Sequence, residues 1–177
     1  MAALQTPFEA GTHATFEALM WAFSMPGQVR QLEASQSAFA AIADALLDLE
    51  TSAFTTDVAL ETKLRATGAK LKALEDAEYV FLPQLTDLEP LHAVRRGSTL
   101  YPDHAATLIV GAKLETGTKL HLTGPGIQTA LELRTNLPLE FWQLRDEVIA
   151  YPIGWDVLIV DGSRVLGLPR TTRIEVQ

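Results

Sequence analysis

The residues best suited to chemistry lie in the last third of the chain. Pro169-Arg170-Thr171-Thr172-Arg173 places two guanidinium groups beside two hydroxyls. Arginine's planar fork matches phosphate oxygens two at a time, so Arg170, Thr171 and Thr172 can hold a phosphate. A strand at this point would undo that. Alternation would put Arg170 and Thr172 on one face and Thr171 and Arg173 on the other. The cluster works as a site only if the chain kinks at Pro169. A second candidate is Gly124-Pro125-Gly126, where Gly124 and Gly126 can bring backbone N–H groups close to a phosphate. The segment is neither GxGxxG nor GxxxxGK[ST], and Pro125 removes one donor, so a tight turn is the competing reading.

Other chemistries find less support. His13, His92, His104 and His121 are scattered, with no HxxxH-type pair, and no metal site is expected. There is no cysteine and no GxSxG, which leaves no thiolate and no serine elbow. Ser98 and Ser163 fall in turn-like stretches. Lys63, Lys70, Lys72, Lys113 and Lys119 sit among polar neighbours, so no lysine is placed to carry pyridoxal phosphate, and no cofactor is expected.

The net charge of −8 opposes a nucleic-acid role, which calls for a basic face. Charge is uneven along the chain. Residues 1–60 hold one base, Arg30, against seven acids, whereas residues 118–177 hold six bases against seven. An anion site is therefore expected in the C-terminal third. The first residues lack a basic segment followed by an apolar run, so no secretory signal is read. No apolar run is long enough to span a membrane. The expectation is a cytoplasmic protein.

These candidates need a scaffold. At 177 residues and 47% hydrophobic, the chain suits a single domain over 1–177 with a substantial core. Thr6-Pro7-Phe8-Glu9 has the capping-box form, but Gly11 predicts a short turn before a main helix from Thr12. Phe16, Leu19, Met20 and Phe23 predict that helix's core face, and Pro26 ends it. Helices are also expected over about Ser37–Leu49, Val58–Ala66 behind an Asp57 cap, and Pro138 to about Ala150. A weak one is expected over Leu85–Val94. Leu137, Phe141, Leu144 and Val148 share a face of the Pro138 helix.

Strands are predicted at Thr51–Thr56, Tyr79–Leu82, Thr107–Val110, Lys119–Thr123, Val157–Val160, Arg164–Leu168 and Thr171–Val176. Thr107–Val110 and Lys119–Thr123 are expected to form a hairpin through a turn at Glu115–Thr118. Asp161-Gly162 predicts a second hairpin. Fully apolar strands imply a sheet covered on both faces. The expected fold is α/β: three layers, with a mixed central sheet covered by helices.

Six segments together resemble the PhnH family of the bacterial carbon–phosphorus lyase system. Phe16-Glu17-Ala18-Leu19-Met20 with Ser24-Met25-Pro26-Gly27 is similar to the family's opening helix and stop. Leu64-Arg65 with Thr67-Gly68-Ala69 resembles its LRFHTGA stretch, with Ala66 replacing two residues. Ala105-Ala106-Thr107-Leu108-Ile109 resembles its GATL strand, with Ala105 where glycine is usual. Leu122-Thr123-Gly124-Pro125-Gly126-Ile127 matches LTGPGI in full. Tyr151-Pro152-Ile153-Gly154-Trp155-Asp156 resembles FPLGVD, and Leu168-Pro169-Arg170-Thr171-Thr172 matches the closing PRTT. The segments come in the family's order across nearly the whole chain.

The resemblance implies a subunit of the carbon–phosphorus lyase core complex. That complex joins a phosphonate to ribose C1 of ATP, releases adenine and gives alpha-D-ribose 1-phosphonate 5-triphosphate. It implies a fold like that of pyridoxal-phosphate transferases without the cofactor, partner core subunits, and a homodimer. Three readings follow. The chain is a binding or scaffolding subunit, or a directly catalytic subunit holding phosphate or phosphonate at Gly124, Gly126, Arg170, Thr171 and Thr172, or a small stand-alone pyridoxal-phosphate transferase.

Overall fold

The computed structural model describes residues 6–33 and 36–177. Met1–Gln5, read above for a secretory signal, lie outside them. Among the described residues the chain forms α1 (Pro7–Ser24), β1 (Arg30–Gln31), α2 (Ala38–Leu46), β2 (Ser52–Thr55), α3 (Val58–Ala66), β3 (Lys70–Leu71) and β4 (Tyr79–Leu82). Then follow β5 (Thr107–Gly111), β6 (Leu114–Thr123), β7 (Leu131–Thr135), α4 (Leu139–Val148), β8 (Asp156–Asp161), β9 (Arg164–Leu168) and β10 (Arg173–Val176). Seven strands make a central sheet in the order β1-β9-β8-β5-β4-β2-β3. β3, β2, β4, β5 and β8 run parallel, and β9 alone runs against them. The sheet is thus mixed and the fold α/β.

The apolar strands are buried on both faces, as their composition requires. Val80, Leu108, Val157 and Ile159 enter one core. Phe81, Ile109, Leu158 and Val160 enter the other, against α1, α2 and α3. Helices cover only that second face completely. A small sheet, β10-β6-β7, shares the opposite face with α4.

This small sheet corrects the predicted hairpin of Thr107–Val110 with Lys119–Thr123. β5 has β4 on one edge and β8 on the other, so neither edge is left for β6. β6 pairs with β7 and β10 instead. The expected turn at Glu115–Thr118 is a bulge inside β6, where the register with β7 shifts and Glu115 takes a φ of 64°. β7 itself went unpredicted. The second hairpin forms one residue later than read: Asp161 pairs with Arg164, leaving Gly162 and Ser163 as the loop. Leu85–Val94 yields only a 3-10 turn at Glu89–Ala93.

The first helix also departs from expectation. It starts at Pro7, behind a capping box in which Thr6 and Glu9 satisfy each other's backbone N–H groups. Gly11 lies within it, and its modest propensity penalty does not break the helix. Its buried residues are Thr15, Leu19 and Ala22, while Phe16 and Met20 are exposed. The reason is close packing on β9. A Cβ on Gly167 would stand 2.6 Å from the backbone of Ala22. Only the small-residue face of α1 can approach a glycine that closely.

Candidate functional site

The chain does kink after Leu168. β9 ends there, and Thr172 N donates to Pro169 O at 2.9 Å to close a turn. The chain then leaves the central sheet and enters the small one as β10. The alternation that would have split the cluster therefore does not apply to Arg170, Thr171 and Thr172.

Two arginines hold this turn. Arg170 donates from Nη2 to Asp156 Oδ2 (2.6 Å) and from Nε to Oδ1 (3.2 Å), and its backbone N donates to Oδ1 (2.7 Å). Its Nη1 donates to Pro102 O (2.7 Å) and Pro152 O (3.4 Å). Most of this guanidinium is spent within the fold. The second arginine, Arg145, reaches in from α4. Its Nη2 donates to Pro169 O (2.9 Å) and Thr172 O (3.2 Å), one at each end of the turn.

Arg145 is the residue that sequence reasoning passed over. It is 4% exposed, and no carboxylate pairs with it among the described residues. Among the described residues its Nε, buried, has no acceptor, and the buried Oγ1 of Thr172, itself 2% exposed, has no partner. Burial lowers the Arg145 pKa to about 10, against the opposing pull of Asp156 and Asp146, so it stays a cation at neutral pH. One signal could have found it. Phe141, Leu144 and Val148 lie on the buried face of α4, and position 145 lies four residues after Phe141 on that face.

These groups line one cleft of about 880 Å³. Gly124, Arg145, Arg170, Thr171 and Thr172 contribute to its wall, with Asp146, Arg173 and Glu175. A Cβ on Gly124 would come within 2.9 Å of Thr171 O, so the glycine lets the two loops touch. Gly126 does not line the cleft. It occupies the third position of a turn closed by Ile127 N on Gly124 O, with φ +82° after Pro125, the form of a type II turn. A Cβ on Gly126 would meet Ser24 O at 2.4 Å and Pro26 Cδ at 2.6 Å, so it packs on the end of α1 instead.

The arrangement can hold an oxyanion by charge and hydrogen bonds. The described residues contain no group of three His, Cys, Asp or Glu able to share a metal. Lys63, Lys113 and Lys119 are each paired with a carboxylate. No helix among the described residues is long and apolar enough to cross a membrane.

Known proteins agree with the segment pattern. The profile of a family described as bacterial phosphonate metabolism protein (PhnH) matches residues 4–175. A putative C-P lyase subunit protein, HtxG, of Stutzerimonas stutzeri is 34% identical over 169 residues, spanning 92% of this chain and 85% of that protein. The alpha-D-ribose 1-methylphosphonate 5-triphosphate synthase subunit PhnH of Rhizobium meliloti (strain 1021) is 27% identical over 186 residues, spanning 95% of this chain and 91% of that protein.

Proposed function

Since this chain belongs to the PhnH family of phosphonate metabolism proteins, we propose that it serves its carbon–phosphorus lyase complex mainly as a binding and scaffolding subunit. It is a subunit of the carbon–phosphorus lyase system in phosphonate metabolism. Within that system it contributes to making alpha-D-ribose 1-phosphonate 5-triphosphate from ATP and an alkylphosphonate, with release of adenine, in the cytoplasm. The single observation carrying the scaffolding role is the outer face of α1. Phe16, Met20 and Trp21 are exposed there, at 45%, 53% and 47%. A cluster of large apolar side chains left in water marks a contact surface. Its occupants are the other core subunits or a second copy of this chain.

The kinship with pyridoxal-phosphate transferases belongs to the same reading. A seven-stranded, largely parallel sheet with one antiparallel strand supports it. The test of function is direct. Tagged chain expressed with the other subunits of its system should co-purify with them, and analytical ultracentrifugation of the chain alone should give a dimer. A chain that recovers no partner subunit overturns the scaffolding role.

A second reading, direct participation in the reaction, is favoured by one specific observation: the buried Arg145 and Thr172 polar atoms without partners. Here the cleft beside the Pro169–Thr172 turn holds a phosphate or phosphonate group at a site shared with partner subunits.

A further inference from the structure

We propose that the cleft between α4 and the Pro169–Thr172 turn is a seat for a –PO3 group, with Arg145 rather than Arg170 as its anchoring cation and Thr172 Oγ1 as a neutral partner. The proposal rests on the family reading for the choice of phosphorus over other oxyanions, and on geometry for everything else.

Taking a cation out of water without an ion-pair partner is costly, and proteins do so where a partner arrives later or the charge is used. Arg145 is such a cation. Both of its hydrogen bonds leave from Nη2 and go to neutral carbonyls. Nε has no acceptor. Thr172 Oγ1, on the turn that Arg145 clamps, is likewise buried and unpartnered. Buried polar groups are normally satisfied, and two orphans at one cleft point to a ligand that satisfies both. Arg170 differs, because Asp156 neutralises it and two carbonyls take Nη1.

The carboxylates in the wall are Asp146 and Glu175, both exposed, and neither pairs with Arg145. Arg173 is exposed in the same wall and adds a cation at the mouth. A –PO3 group offers three acceptor oxygens, which suits a guanidinium with unused N–H groups beside a hydroxyl. It can come from a phosphonate or from the phosphate end of a nucleotide, since both present it.

The test uses the full chain, alone and in its assembled complex, titrated with methylphosphonate, ATP and inorganic phosphate by calorimetry and thermal shift. The wild type should bind methylphosphonate or ATP and gain thermal stability. Methylphosphonate binding assigns the seat to the phosphonate, and ATP binding alone assigns it to the nucleotide. Thr172→Val keeps the side chain's shape and should weaken binding about fivefold, the worth of one hydrogen bond. Arg145→Gln should weaken it more than tenfold, Arg145→Lys less, and the exposed Arg65→Gln should match wild type. Wild-type affinity in Thr172→Val, or no response of the wild type to any of the three compounds in either form, overturns the proposal. Co-purification is read in parallel: assembly without oxyanion binding sinks this inference alone, whereas failure to assemble sinks the scaffolding reading.

Discussion

Arg170 closes a two-toothed ion pair on Asp156, linking the Pro169–Thr172 turn to the first residue of β8. The side chains are 14% and 23% exposed. Removing either partner strands the other in a mostly buried place. Arg170→Ala and Asp156→Ala should each cost about 3 kcal/mol of stability. Urea unfolding measures this, and the double variant should cost clearly less than the sum of the two. Additive losses would show that the pair is not coupled.

Asp161 supplies a pH signature. Burial pushes its carboxyl upward, but hydrogen bonds from Lys113 Nζ, Leu114 N and Arg164 outweigh that and hold its pKa at about 2. A folded pKa below the unfolded one stabilises the protein above the unfolded value, and that contribution disappears as pH falls through the folded value. Acid unfolding should therefore lose an Asp161 contribution between about pH 4 and about pH 2. Asp161→Asn should be less stable at neutral pH and flatter across that window. Parallel wild-type and variant curves would rule the contribution out.

Gly126 packs on the end of α1, and a substitution there tests whether its role is structural. Its φ of +82° and its contact with Ser24 O leave no room for a side chain. Gly126→Ala should lower stability by about 2 kcal/mol, through strain and overpacking. The folded fraction should bind methylphosphonate or ATP as the wild type does. Lost affinity with unchanged stability would restore Gly126 to the site.

Phe16 and Met20 test the docking face. Both are exposed on α1, so Phe16→Glu with Met20→Glu should shift the stability of the isolated chain by no more than about 1 kcal/mol in sum. The same pair should sharply reduce recovery of partner subunits or dissociate a dimer. Unchanged assembly would move the contact surface elsewhere.

Much of the scaffold was legible because its signals are local. The Asp57 cap, the apolar runs at Tyr79–Leu82 and Val157–Val160, and the Phe141, Leu144 and Val148 face of α4 each depend on neighbours in the chain, whereas Leu137, expected on that face, lies before the helix. The face of α1 was not legible, since apolar residues occur all round it. Gly167, far along the chain, selects the small-residue face. The separate small sheet was not legible either, because it follows from β5 having no free edge.

The sequence by itself determined the family, through six ordered segments, and it determined the chemistry available near the C-terminus. Tertiary structure alone decided which of its arginines is neutralised within the fold. Ser24–Gly27 meets Leu122–Ile127 at Gly126, Leu122–Ile127 meets the closing turn at Gly124, and the turn meets Tyr151–Asp156 through Arg170. The physical reason is charge compensation. Arg170 and Arg145 look alike in the sequence, but Asp156 neutralises one, and packing leaves the other buried with no ion-pair partner among the described residues.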